Sequence, residues 1–265
     1  MLARSSIVFI HGLWVTAASW EPFVQPWAAA GYAVHAAEWP VLEGRSAQAL
    51  RAAPPAELGS LTIERIVEHA AGFIRTLAEP PLLVGHSFGG LFVQLLLDRG
   101  LGRAGIALNP APIAGVVPGW RTLRAAAPVI LRSNGARRSY MLSPGLWAER
   151  YANAAPPTLQ RQSWERYVVP TSGRVIHQAA FWHGTSVDPG RRHQPLLITA
   201  GEKDRLVTPY LSRAAWRAQR RSAARTDFMS FPGRSHLLIA EPGWEEVAQA
   251  CIAWDRSLEP TPQPN

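Results

Sequence analysis

Three side chains set far apart in the chain carry types and surroundings that suit acyl chemistry. Ser87 sits in "LLVGHSFGG" (82–90), Asp204 in "AGEKDRLVTP" (200–209), and His236 ends "PGRSH" (232–236). A serine hydroxyl is a poor nucleophile until a base takes its proton, and an imidazole does this best when a carboxylate orients it. Gly85-His86-Ser87-Phe88-Gly89 fits G-x-S-x-G between an apolar run and a long helical pattern, the context in which a sharp turn presents a nucleophile. Such a turn leaves no space for side chains two residues either side of the serine, and Gly90 adds room. The motif alone also fits a structural turn, since glycine-rich strand-to-helix loops cradle phosphates as well.

The other two residues gain meaning from the first. A lone histidine in a short loop is ordinarily a packing residue, and a lone aspartate after a strand is ordinarily a turn former. With Ser87 present, the chain order Ser, Asp, His matches one known arrangement of a catalytic triad. Glu202 is the nearest substitute acid, and the loop after "GIAL" offers Asn109 but no carboxylate. The oxyanion of the transition state needs two N–H donors: Phe88, directly after the serine, and Leu13 in "HGLW", where Gly12 lets the backbone turn back. His11 reads as a structural partner of that loop. Trp14 either lines a substrate pocket or packs in the core.

The elements that must position these residues follow a simple alternation. Apolar strands are expected at "SIVFI" (6–10), "YAVHAAEWP" (32–40), "PLLVG" (81–85), "AGIALNPAP" (104–112), "PLLITAGEKD" (195–204) and "TDFMSF" (226–231). Helices are expected between them: one over "SWEPFVQPWAAAG" with Ser19 as N-cap, one over 61–78, one after Ser87, one capped by Thr208 and opened by Pro209, and a last one opening at Pro242. Continuous apolar strands alternating with amphipathic helices predict an α/β fold with a roughly six-stranded, mainly parallel sheet covered on both faces. Residues 110–194 break the rhythm with nine prolines and read as an insertion. The expected organisation is a core of 1–109 and 195–258, a helical insertion of 110–194, and a flexible tail, 259–265.

With these elements in place the chain resembles an α/β-hydrolase along almost its whole length. "HGLW" is similar to that family's oxyanion loop, "GHSFGG" to its nucleophile elbow, "GEKDRLVTP" to its acid turn and "RSHLLIAEPGW" to its histidine loop. The resemblance implies Ser87 as nucleophile, Asp204 as acid, His236 as base, Leu13 and Phe88 as oxyanion donors, no cofactor, and the 110–194 insertion as a lid. It departs at the start, where the two N-terminal strands of the full family sheet are missing. A serine at the elbow argues against relatives that use aspartate there, the dehalogenases and epoxide hydrolases. What it implies is a carboxylesterase-like serine hydrolase cleaving an ester, lactone or thioester of a small or medium acyl group. Carbon–carbon bond hydrolysis, and cofactor-free oxygenase or lyase chemistry run by the His-Asp pair, remain open alternatives.

Composition bounds the rest. The net charge is +8, and 110–194 alone holds eleven Arg against three acids, so the whole excess lies in that segment. This suggests an anionic substrate drawn by clustered charge, or simply a solvated basic face. The arginines are scattered rather than striped, so nucleic acid is not an expected partner. Trp120, Trp147, Trp164, Phe181 and Trp182 are many aromatics for a proline-broken segment. Trp120, Trp147 and Trp182 join Trp14 as candidate pocket residues, with ordinary packing the competing reading. His177, His183 and His193 lack metal spacing, so no metal is expected. Cys251 is the single cysteine and reads as a buried thiol. The absence of a long apolar run, and the short apolar stretch before His11, predict no membrane span and a soluble, cytoplasmic protein.

Overall fold

The computed structural model describes residues 4–117, 119 and 127–258. In chain order its main elements are β1 (Arg4–Ile10), α1 (Glu21–Ala29), β2 (Tyr32–Ala37), α2 (Ala47–Ala52), α3 (Ile63–Arg75), β3 (Leu82–His86), α4 (Phe88–Asp98), β4 (Ala104–Leu108), β5 (Ser139–Tyr140), α5 (Pro157–Tyr167), β6 (Thr171–Ser172), α6 (Gly173–Ala180), β7 (Leu196–Gly201), α7 (Pro209–Gln219), β8 (Thr226–Phe231) and α8 (Trp244–Arg256). Six strands form one all-parallel sheet in the order β2-β1-β3-β4-β7-β8. The expected α/β architecture is present, and every strand of this sheet ends on the same edge.

The two faces of the sheet explain why its strands are apolar throughout. Ile7 and Phe9 of β1 point to one side, where they meet Trp20, Phe23 and Trp27 around α1 and Val247, Cys251 and Trp254 of α8. Val8 and Ile10 point to the other, against Ile66, Val67 and Ile74 of α3 and Phe92 and Leu96 of α4. Alternate side chains thus enter different cores, each worth about 25 cal/mol per Å² of apolar surface removed from water. Phe9 stacks on Trp20 with ring centroids 4.6 Å apart.

Helix starts differ from the sequence reading in two places. Ser19 is not the N-cap of α1: it lies within a 3-10 turn, Ala17–Trp20, whose cap is Thr16, and its hydroxyl donates to Thr16 O (2.8 Å). The chain tightens there before Glu21 and Pro22 open α1. α8 starts at Trp244 after Gly243, whose φ of 91° requires glycine, and not at Pro242. α7 opens at Pro209 with Thr208 at its N-cap, as expected, although the threonine side chain makes no cap bond. Between β4 and β7 the chain makes a two-residue antiparallel pairing, β5 with β6, and a helical stretch over Pro144–Leu146 that widens into a π turn, Trp147–Tyr151. Trp120 and the tail 259–265 lie outside the described residues.

Candidate active site

The turn from β3 into α4 is built by exclusion. A Cβ on Gly85 would lie 2.1 Å from Gly89 O, and one on Gly89 would lie 1.9 Å from Ile10 O. Both glycines are therefore obligatory, one for the turn itself and one for the approach of β1. Ser87 is left at φ 57°, ψ −119°, a backbone conformation costing of order 1–3 kcal/mol for a residue with a Cβ. It is held there because its N–H donates to Leu108 O (2.9 Å) and its carbonyl accepts from Gly90, Leu91 and Ala111. The side chain is 3% exposed.

Asp204 and His236 meet at the same sheet edge, from the loops after β7 and β8. Asp204 Oδ2 is 2.6 Å from His236 Nδ1, and both side chains are fully buried. Asp204 Oδ1 accepts from the N–H groups of Leu206 and Val207 at 2.8 Å each, so the carboxylate is fixed by the start of its own loop. Asn109, at the end of β4 with φ 43°, completes the frame. Its Nδ2 donates to Asp204 Oδ2 (2.8 Å) and to Ser235 O (3.3 Å), and its Oδ1 accepts from Gly201 N–H (2.8 Å). Asn109 was visible in the sequence only as a missing carboxylate; it is the strut joining the acid loop to the histidine loop. Glu202, the alternative acid, accepts instead from Ser230 Oγ at an exposed position.

The Ser–His link is less complete than the sequence suggests. His236 Nε2 is buried and has no hydrogen-bond partner among the described residues. The expected chain of three is closed between aspartate and histidine and open between histidine and serine. Such a contact commonly tightens only when a reacting group is bound.

The other side of the serine is formed by the loop after β1. A Cβ on Gly12 would lie 2.9 Å from Ser87 Cβ and from His86 O and 3.2 Å from Phe88 N, so glycine is what lets this loop lie against the elbow. The N–H groups of Leu13 and Phe88 donate to no other group among the described residues. Trp14 takes φ 64°, is buried, and its carbonyl accepts from Val169 N–H (2.8 Å). His11 anchors the loop from behind, with Nε2 2.6 Å from Glu38 Oε1 and its ring stacked on Trp39 at 5.0 Å. Burial opposes ionisation of Glu38, but His11 and the N–H groups of Ala17 and Trp39 outweigh it and hold the carboxyl below its usual range.

Two residues that sequence reasoning passed over touch His236 directly. The His86 ring lies 4.6 Å from the His236 ring, and His86 Nε2 is 2.8 Å from the His236 carbonyl. Tyr151 stands edge-on to His236 at 4.5 Å and 89°. Its hydroxyl is 3.5 Å from His86 Nδ1, and its carbonyl accepts from Leu237 N–H (2.9 Å) and Ser235 Oγ (3.2 Å). Burial, and then the neighbouring His236, hold the His86 imidazole well below its ordinary range. Burial likewise pushes the Tyr151 phenol up. Only the position of His86 inside G-x-S-x-G hinted at this; nothing in the sequence marked Tyr151.

The remaining candidates divide. Trp147 is fully buried, stacks on Tyr151 at 3.9 Å and donates to Ser163 Oγ (2.9 Å), one ring removed from His236. Trp182 is 42% exposed. Cys251 is buried, which pushes its thiol up to about 12. Not all of the arginine excess is unpaired on the surface. Arg192 is buried against Gln219, Gln194 and Thr226, Arg150 pairs with Glu149, and the exposed Arg166 and Arg191 pair with Glu21 and Asp98. Among the described residues no three His, Cys, Asp or Glu side chains are grouped to hold a metal ion, and no helix is long and apolar enough to cross a membrane.

Comparison with known proteins places this geometry in context. A family profile described as "Alpha/beta hydrolase family" matches residues 7–250. No curated protein sequence matches the chain. Among solved structures, the chain is similar to a monoacylglycerol lipase from Paleococcus ferrophilus, at 23% identity over 94% of this chain and 92% of that one, with a TM-score of 0.69. It is also similar to a putative non-heme bromoperoxidase, BpoC, from Mycobacterium tuberculosis H37Rv (21% identity, 97% and 94% covered, TM-score 0.71). A third is a methylesterase, MES16, from Arabidopsis (14% identity, 95% and 99% covered, TM-score 0.69). At these identities the likeness is one of fold.

Proposed function

This chain belongs to the alpha/beta hydrolase family, and on that premise we propose that it is a serine hydrolase cleaving a carboxylic ester, lactone or thioester of a small or medium acyl group. The observation that carries the reading is a buried imidazole with a carboxylate 2.6 Å from Nδ1 and, among the described residues, nothing bonded to Nε2, together with a serine strained at φ 57° whose chain neighbour His86 bonds the His236 carbonyl. Asp204 accepts only, so Nδ1 of His236 carries the proton of that bond and Nε2 presents the lone pair a general base needs. Ser87 Oγ attacks the acyl carbon as His236 takes its proton. Negative charge collects on an oxygen held by the Leu13 and Phe88 N–H groups. His236 then protonates the leaving group, and water releases the acid from the acyl-enzyme by the same route. The segment 110–194 acts in this reading as the lid over the acyl group.

The test is labelling by a fluorophosphonate together with turnover of a panel of esters, lactones and thioesters. The reading expects one label on Ser87 and loss of about 10⁴-fold or more of the rate in Ser87→Ala. An unlabelled Ser87, or a fully active Ser87→Ala, overturns it.

The open Ser–His link favours one second reading. A His236–Asp204 pair free of the serine is also a base pair for proton abstraction in cofactor-free oxygenation or lyase chemistry. Activity that vanishes in His236→Ala and persists in Ser87→Ala would select it.

A further inference from the structure

We propose that His86 and Tyr151 form a clamp of positioning residues on His236, tying the general base both to the nucleophile's own strand and to the β4–β7 connection. The inference rests on the serine-hydrolase reading of the site and concerns what holds its base. Asp204 fixes only one atom of the His236 ring, and an imidazole held by a single bond still swings about it. The clamp supplies the missing restraints on two sides.

On the elbow side the bond can be assigned by elimination. The His236 carbonyl only accepts, so the 2.8 Å contact makes His86 Nε2 the protonated nitrogen and leaves Nδ1 as an acceptor. The group facing Nδ1 is the Tyr151 hydroxyl at 3.5 Å, which donates. His86 is therefore a neutral imidazole of one tautomer, bonded at both nitrogens, with its ring 4.6 Å from His236. Because His86 is covalently next to Ser87, any movement of the nucleophile is passed to the backbone of the base.

On the connection side Tyr151 acts twice. Its ring stands perpendicular to His236 at 4.5 Å and blocks rotation out of the Asp204 plane. Its carbonyl takes the Leu237 N–H (2.9 Å), which fixes the loop directly after His236, while the Ser235 hydroxyl before it lies 3.2 Å from the same carbonyl and 2.5 Å from Glu241 Oε2. Trp147, stacked behind at 3.9 Å and bonded to Ser163 of α5, makes the tyrosine rigid. The titratable groups facing or bracing His236 are Asp204 from the β7 loop, His86 from β3, Tyr151 from the connection, and Glu241, which accepts from Ser235 N–H at 2.6 Å. The clamp presents neutral groups on two sides, so Asp204 is the one carboxylate bonded to the ring.

Two measurements test this, and the first needs no variant. In nitrogen-15 imidazole spectra of the wild-type protein, His86 is expected as the neutral Nε2–H tautomer from about pH 8 down to about pH 5. A His86 that takes up a second proton in that range, or that carries its proton on Nδ1, overturns the clamp. The second is the rate of Ser87 labelling by a fluorophosphonate as a function of pH. His86→Leu and Tyr151→Leu are each expected to slow labelling by about 10- to 100-fold and to displace the midpoint of its pH profile, as misplacement of a base by about an ångström does. His86→Gln, which keeps a donor for the His236 carbonyl, and Tyr151→Phe, which keeps the ring, are expected to recover most of that loss. Wild-type rates and an unmoved midpoint in both leucine variants refute the clamp while leaving the serine reading intact. Undiminished turnover by Ser87→Ala, in contrast, refutes the reading beneath it.

Discussion

At the rim of the sheet and in the β4–β7 connection, residues reach the same imidazole by different physical means. The rim works by exclusion and by backbone bonds: glycines 12, 85 and 89 leave no room for a Cβ, and Asp204 is held by the N–H groups of Leu206 and Val207. The connection works by stacked rings: Trp147 on Tyr151, Tyr151 on His236. Exclusion tolerates no substitution and fixes position to a fraction of an ångström. Ring packing tolerates any side chain of similar shape and yields when the supporting element moves. The part of the site proposed to do chemistry is thus set by the rim, and the part that braces it by the more adaptable connection.

That contrast can be broken or sharpened by substitution. The largest effect expected is at the rim: Asp204→Asn leaves the shape intact but removes the acceptor that sets the His236 tautomer, and turnover of an ester is expected to fall by about 10⁴-fold. Behind Tyr151, whose own loss is expected to slow labelling, the connection answers chiefly in stability. Trp147→Ala empties a fully buried site, with an expected loss of about 3–5 kcal/mol in urea unfolding, while fluorophosphonate still labels the folded fraction. Gly12→Ala is the finer test of the rim, because its Cβ would meet Ser87 Cβ and His86 O at 2.9 Å. By displacing the Leu13 N–H it is expected to lower kcat by about 10²-fold.

The smallest effect expected is a dependence on pH, and its sign is fixed. Burial keeps His86 neutral in the folded protein, well below the ordinary 6.5, whereas the unfolded chain takes up a proton there. The unfolded state binds more protons below that value, so stability is complete above it and declines as pH falls. One such group contributes a slope of at most about 1.4 kcal/mol per pH unit, measured by urea unfolding between about pH 7.5 and 5, and His86→Gln is expected to flatten the curve.

The same contrast explains what was legible in the sequence. Gly85, Gly89 and Gly12 announce themselves because only glycine satisfies the contacts found there, and the strands read clearly because both their faces are buried. Asp204 and His236 could be found from chain order and strand ends, and they meet. Asn109 was not recognised as a strut, because an amide joining two loops leaves no spacing rule. The connection was legible only as prolines and tryptophans. Its two-residue strands are too short to show a period, and a ring stacked on a ring has no signature along the chain. Ser19 was misjudged as a cap because Thr16, three residues earlier, captured the turn first.

One consequence follows from the dihedral angles at residue 87. A side chain is kept where only glycine is at ease, so this serine is a loaded spring pressed down by its neighbours. Glycine at that place would let the spring go, and Ser87→Gly is expected to outlast the parent protein on heating.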